Sequence, residues 1–312
     1  MNSSTTAFLF PGQGSQFAGM GRELAAEYPE ARALFAQADD VLGFALSRLC
    51  FDGPEAELTD TVNAQPAILT ASLAVLRVIE AHTQTRPAFV AGHSMGEFSA
   101  LVAAGSLTFE DALKLVRERG RLMKIAGQAQ PGGMAAILNV SRDVLDEVCK
   151  EASIATGKPV QVANDNSPGQ IVISGDSVAL DKALELAKVR GAKRAIRLTV
   201  SIAAHSPLMQ SAARSFRAAL DAAPFSTPRI PIVGNVYARP IDVADLRDEL
   251  EAQLTSPVRW TESVQYLAQH GVTTCVEVGP KDVLAGLVRR IDTSLNAMSV
   301  GDPKGVQLLL QD

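Results

Sequence analysis

Several things are scarce in this 312-residue chain, and each scarcity excludes something. Aromatic side chains make up only 5% of the residues, so the core must be built mainly from Ala, Val, Leu and Ile. That composition suits helices packed on parallel strands, the α/β class. There is no basic excess: the net charge is −5, which argues against nucleic-acid binding. The three cysteines, Cys50, Cys149 and Cys275, are odd in number and widely spaced. They form neither a disulfide framework nor a zinc spacing, and they read as buried thiols of a cytoplasmic protein. No run of apolar residues reaches the roughly 18 of a membrane span. The opening MNSSTTAFLFPGQGSQ lacks a basic segment and a long apolar core, and reads as a strand and a Gly-rich turn rather than a signal peptide. The phosphate-loop spacing G-x-x-x-x-G-K-[ST] is missing as well, and no metal, flavin or nucleotide site is evident.

What is present alternates between strand-like and helix-like segments. Ala7–Phe10 reads as a strand, 22–42 as a helix and 63–80 as a mostly buried helix. Residues 88–92 form a short apolar strand running directly into a helix over 97–104. Thr108, with Asp111 three residues on, caps a helix over 109–124. After a linker-like 128–133 comes a self-contained series: strand 134–139, helix 141–152, strands 160–163 and 170–174, helix 178–190, strand 194–200. That order, βαββαβ, is the ferredoxin-like unit, here read as a small subdomain over 129–200 inserted into a large α/β domain formed by 1–128 and 201–312. The large domain continues as helix 207–222, strand 230–236, helix 243–254, segment 260–270, strand 274–278 and helix 283–290.

Gly92-His93-Ser94-Met95-Gly96 satisfies G-x-S-x-G, and it lies between a strand and a helix, the context that gives the motif meaning. The glycines permit a tight turn that exposes Ser94 at a helix start, where free N–H groups favour negative charge. The N–H of Met95 is placed for an oxyanion hole. The alternative is an ordinary turn with Ser94 as a helix cap. A serine hydroxyl needs a base. Of the four histidines, His93 adjoins the serine and points elsewhere, and His82 and His270 lie in polar surroundings. His205, in a small-residue segment entering Pro207, is the best candidate.

Five motifs stand in order: Phe10-Pro11-Gly12-Gln13-Gly14-Ser15-Gln16, Gly92-His93-Ser94-Met95-Gly96-Glu97, Asn164-Asp165-Asn166-Ser167-Pro168-Gly169-Gln170, Ala204-His205-Ser206-Pro207-Leu208-Met209 and Glu277-Val278-Gly279-Pro280. From Phe10 to about Ile291 the chain resembles the malonyl-CoA:acyl carrier protein transacylases of fatty acid synthesis and the acyltransferase units of polyketide synthases. The resemblance implies an α/β-hydrolase-like large domain beside the ferredoxin-like one. It implies Ser94 as the acyl-carrying nucleophile, His205 as base and then acid, and the backbone carbonyl of Gln253 as the group orienting His205. It also implies the N–H of Gln13 beside that of Met95 in the oxyanion hole, and Arg119 as the grip on the substrate's free carboxylate. Spacing alone leaves Arg119 open to another reading, a solvated helix arginine paired with Glu118 or Glu110.

The substrates implied are malonyl-CoA and an acyl carrier protein whose own phosphopantetheine arm supplies the thiol, with no separate cofactor. Lys188, Arg190, Lys193, Arg194 and Arg197 cluster at the end of the small subdomain and offer a docking face for an acidic carrier, or simply a solvated face. The segment Ile202-Ala203-Ala204 departs from the tetrapeptides that mark extender choice in polyketide acyltransferases, so malonyl and methylmalonyl both stay open. Asp165 reads as a turn cap. Three alternatives use the same residues differently: a serine hydrolase or thioesterase, a silent carrier-protein docking module, and the acyltransferase subunit of a malonate decarboxylase.

Overall fold

The computed structural model describes residues 3–199 and 202–311. Among these, nine strands follow in chain order: β1 Thr6–Phe10, β2 Phe89–Gly92, β3 Gly132–Leu138, β4 Val160–Ser167, β5 Gln170–Asp176, β6 Arg194–Arg197, β7 Ile232–Val233, β8 Thr274–Val278 and β9 Asn296–Val300. They make two sheets. The first is parallel, in the order β7-β2-β1-β8-β9; the second is antiparallel, in the order β4-β5-β3-β6. The protein is therefore mixed α/β.

The two sheets differ in how their faces are covered, and the sequence explains why. Every residue of β1 is buried, as expected for a central parallel strand with helices on both faces. β3 instead alternates buried and half-buried positions, because helices Arg142–Thr156 and Ser177–Val189 cover one face only. The second sheet has its own core, including Ile137, Leu145, Val148, Val162, Ile173 and Leu180. Its β4 edge is stitched to the rest of the chain: Val258 N–H donates to Ala163 O at 2.9 Å, and Asp165 N–H to Val258 O at 3.0 Å.

Helix Thr61–His82 is long and apolar enough to cross a membrane by length and composition, but 83% of its most apolar window is buried inside the fold, where it packs against helix Phe109–Ala129. Pro66 lies inside it and cannot donate to Val62 O. Arg117 takes over that carbonyl, donating from Nη1 at 2.8 Å.

Several expected elements change in the structure. The helix expected over 22–42 is two, Arg22–Glu27 and Pro29–Leu42, because the residue before a proline is pushed to extended backbone; Tyr28 has φ −110° and ψ 120°. The linker expected over 128–133 is absent: helix Phe109–Ala129 runs into it, and β3 begins at Gly132. A Cβ on Gly132 would stand 2.5 Å from Gly175 O, so this glycine permits close strand approach rather than flexibility. The strand expected over 230–236 shrinks to Ile232–Val233, and the helix over 243–254 to Leu246–Ala252. A 3₁₀ turn, Pro207–Met209, precedes helix Gln210–Ala222. Helices Leu46–Asp52, Glu55–Thr59 and Pro303–Gln311, and strand β9, went unread. The expected strand end at Val200 and the 200/201 domain boundary lie outside the described residues.

Candidate active site

The turn carrying Ser94 connects the carboxyl end of β2 to helix Gly96–Ala103. Its two glycines are sterically required. A Cβ on Gly92 would come within 2.0 Å of the Gly96 carbonyl, and one on Gly96 within 2.2 Å of Phe10 O. Ser94 itself has φ +52°, in the left-handed region that costs a non-glycine residue energy. The Asn235 side chain braces it from both sides: Ser94 N–H donates to Oδ1 at 2.7 Å, and Nδ2 donates to Gly92 O at 2.7 Å.

His205 also has positive φ, +57°, on a loop ahead of the 3₁₀ turn. Its Nε2 lies 2.8 Å from Ser94 Oγ, and its Nδ1 2.7 Å from Gln253 O. A carbonyl only accepts, so Nδ1 carries the hydrogen and Nε2 faces the hydroxyl with a lone pair. The residue is 3% exposed. Burial, and then the charge of Arg119, push its pKa down to about 3, so the ring is neutral at physiological pH. The other histidines are placed elsewhere. His82 is exposed beside Glu30, and His270 stacks on Tyr266 at 3.8 Å. His93 directs Nε2 to Asn166 Oδ1 at 2.8 Å and packs against Trp260.

Arg119 is only 1% exposed. Its Nη1 donates to Gln65 Oε1 at 2.9 Å, and its Nη2 to Gln253 Oε1 at 2.8 Å and Ser94 Oγ at 3.2 Å. Nε has no acceptor among the described residues. The solvated reading of Arg119 is overturned, for Glu118 pairs with Arg121 and Glu110 with Lys114. Burial lowers the guanidinium to about 10, still cationic at neutral pH. Glu97, the carboxyl whose charge acts on Arg119, accepts from Gln253 Nε2. Burial and neighbouring Glu249 hold Glu97 well above the usual carboxylate range, and burial raises Glu249 too. The cation is thus surrounded by amides and a hydroxyl rather than by a paired carboxylate. An unpaired buried charge is costly, and an arriving anion relieves that cost.

The loop after β1 closes the other side. A Cβ on Gly12 would meet His93 O at 2.5 Å, which puts this loop against the Ser94 turn. Gln13 anchors it by accepting from Thr61 Oγ1 at 2.9 Å, and Lys281 Nζ donates to Gly14 O at 2.9 Å. The backbone N–H groups of Gln13 and Met95 find no acceptor among the described residues.

Ser94, His205, Arg119 and Gln253 therefore form one connected cluster, with Gln13 and Met95 at its border. Sequence reasoning missed Gln65, Asn235, Asn166 and Gln161. Gln65 had a readable signal, an amide between Ala64 and the apolar stretch Pro66-Ala67-Ile68-Leu69. Asp165, read as a turn cap, accepts instead from Thr261 Oγ1 at 2.9 Å. In the basic cluster, Arg190 pairs with Glu147 and Glu151, and Arg197 with Asp181. The three cysteines are free and buried, which raises their thiols, those of Cys149 and Cys275 to about 12. Among the described residues no three His, Cys, Asp or Glu side chains are grouped so as to hold a metal ion.

The acyl transferase domain family matches residues 7–301. A malonyl CoA-acyl carrier protein transacylase of Bacillus subtilis (strain 168) is 48% identical over 309 residues, 99% of this chain and 97% of that one. The malonyl-CoA:acyl carrier protein transacylase structure from Xanthomonas oryzae pv. oryzae superposes with a TM-score of 0.96 at 46% identity, covering 100% of this chain and 99% of that one. A malonyl-transacylase solved in complex with a type II PKS acyl-carrier protein gives a TM-score of 0.94 at 41% identity, covering 98% and 99%. A full-length match in sequence and backbone, around a serine–histidine pair beside a buried arginine, establishes that the chain belongs to the acyl transferase domain family, among the malonyl CoA-acyl carrier protein transacylases.

Proposed function

We propose that this chain transfers a malonyl group from coenzyme A to the phosphopantetheine thiol of an acyl carrier protein, by way of an ester on Ser94. The observation that carries the reading is the 2.8 Å contact between Ser94 Oγ and the lone-pair nitrogen of His205, with Arg119 Nη2 3.2 Å from the same oxygen.

His205 Nε2 takes the hydroxyl proton as Ser94 Oγ attacks the thioester carbonyl carbon. The oxyanion that forms is received by the free N–H groups of Gln13 and Met95. Collapse breaks the C–S bond, and the imidazolium returns its proton to the departing thiolate of coenzyme A. The carrier thiol then gives its proton to His205 and attacks the ester, and Ser94 Oγ leaves with that proton. Gln253 O, a neutral acceptor, suffices to orient the ring because a thiol leaves more readily than an amine. Arg119 binds the free carboxylate of the malonyl group with two parallel bonds, each contributing about 1.5–3 kcal/mol. An acetyl group leaves that cation unpaired. Ala204, half-buried next to His205, is small, which keeps a methylmalonyl group open as an alternative substrate. Coenzyme A and phosphopantetheine arrive with the substrates, and the chemistry calls for no further cofactor.

The finer architecture belongs to the same reading. Counted from β3, the second sheet runs second-third-first-fourth, which supports a ferredoxin-like subdomain over 129–200. Its core lies wholly between Ala135 and Ala195. The strand–serine–helix turn on a parallel sheet supports an α/β-hydrolase-like large domain over 1–128 and 201–312. The free, buried thiols fit a cytoplasmic enzyme. The carrier meets Lys188, Lys193 and Arg194 as the basic side chains of the exposed β6 end that have no carboxylate partner among the described residues.

Brief exposure to malonyl-CoA, followed by peptide mass spectrometry, is expected to find a malonyl adduct on the Ser94 peptide that carrier protein removes. Replacing Arg119 by Gln is expected to lower kcat/KM for malonyl transfer by about 10²–10³-fold, while acetyl transfer holds or rises. Free malonate released equally fast with and without carrier protein would mean a hydrolase. No adduct would mean a silent docking module.

A further inference from the structure

His205 bears a β-carbon yet holds φ +57°, on a segment with no regular secondary structure to keep it there. Its own carbonyl oxygen is held by Gln161, whose Nε2 donates to His205 O at 2.8 Å. The same nitrogen donates to Thr255 O, also at 2.8 Å. Two carbonyl oxygens both need donors, so the group between them is the amide NH₂, with each hydrogen used once. Thr255 follows Gln253 by two residues, and Gln253 O is the acceptor for His205 Nδ1–H at 2.7 Å. The contacts therefore close a ring: imidazole to Gln253, along the chain to Thr255, across the Gln161 amide, and back to the His205 carbonyl. Gln161 sits near the start of β4, whose following residues are tied to Val258 through the bonds at Ala163 and Asp165. The amide thus has a fixed base from which to pull.

We propose that Gln161 is a positioning residue for the base: it sets the reach of His205 Nε2 to Ser94 Oγ, and through it the antiparallel sheet controls the reaction without touching substrate. This rests on the reading of His205 as the base. Gln161 is half-buried, and its loss empties no core position. What changes is that two carbonyls lose a common anchor, and the imidazole backbone is free to leave its left-handed conformation. A displacement of about 1 Å at reacting groups costs on the order of 10²-fold in rate.

The test uses Gln161→Met, which keeps the length and removes both donors. Its kcat for malonyl transfer is expected to fall about 10–100-fold, with KM for malonyl-CoA within about two-fold of wild type. The second readout is the Nδ1–H proton resonance of His205 in histidine-labelled protein, which is expected to shift or to vanish by exchange; a domain staple with no role at the base would leave it unmoved. Gln161→Asn, an amide one methylene too short to span both carbonyls, is expected to fall with Met, and it replaces Met as the test if the Met variant does not fold. Wild-type kcat with an unmoved resonance overturns the proposal. So does a rate loss that only follows the folded fraction. If wild-type enzyme forms no ester on Ser94 at all, the reading of His205 as base fails instead, which keeps the two failures distinct.

Discussion

Ser94 and His205 share the left-handed region of backbone space, at φ +52° and +57°, yet they are kept there by different forces. Ser94 is held mainly by repulsion. Gly92 and Gly96 leave no space for side chains, because backbone atoms of Gly96 and Phe10 occupy the places that their β-carbons would take. His205 is held by attraction, donating to Gln253 O and accepting from Gln161 Nε2, both far along the chain. Asn235 is the exception on the serine side, a distant amide bracing a local turn. One member of the pair is built by steric exclusion between backbones and the other by polar contacts. A fault in the first disrupts the fold, whereas a fault in the second disturbs the distance between two atoms.

The largest effect comes from removing either member. Ser94→Ala and His205→Ala are each expected to reduce malonyl transfer by about 10⁴-fold or more, measured by steady-state kinetics with carrier protein. Because the two act as one unit, the double variant is expected to be no slower than the slower single one. Additive losses would show that the two segments contribute separately, and would break the comparison.

The next effect separates repulsion from attraction. Gly92→Ala forces a Cβ to 2.0 Å from backbone and is expected to cost about 3 kcal/mol or more of stability in denaturant titration. Asn235→Ala leaves polar backbone groups without partners and is expected to cost about 1–3 kcal/mol. Equal losses at the two positions would mean that sterics do not dominate the serine turn.

The smallest effect concerns pH. His205 has a folded pKa depressed to about 3, from an unfolded value near 6.5. As pH falls below 6.5 the unfolded chain takes up a proton that the folded chain refuses, so stability present above that pH is lost progressively toward pH 3. Between pH 7 and pH 5 this contributes a loss of about 2 kcal/mol. His205→Gln is expected to lose that much less than wild type over the same interval in parallel denaturant titrations. Matching slopes would show that the ring is not held neutral by its surroundings.

How much of this was readable beforehand follows the same division. The Ser94 turn is legible because its serine and two glycines lie within five consecutive residues between a strand and a helix, although the backbone that Gly96 must clear, Phe10 O, lies on β1. The βαββαβ order was legible because each helix and strand there shows its own periodicity. The break at Tyr28 within the helix expected over 22–42 is hidden because periodicity runs on through a proline break that local backbone sterics impose. The 128–133 stretch was misread because glycines needed for close strand approach look, in sequence, like those of a linker. Gln253 and Gln13 were reachable only through the family resemblance; nothing in their own neighbourhoods marks them. Arg119 is ambiguous in sequence because Glu118 and Glu110 offer ordinary ion pairs, which Arg121 and Lys114 take in the fold.

By itself, then, the sequence determined the aliphatic α/β character, the succession of the antiparallel unit and the nucleophile turn, because these are carried by burial patterns and glycine spacing within short segments. Tertiary structure alone decided that a glutamine carbonyl would meet the imidazole, that Asn235 and Gln161 would clamp the two strained residues, and that Arg119 would lie buried among amides. Those bonds join residues 44 to 143 positions apart, and a hydrogen bond between distant polar groups has no counterpart in local composition.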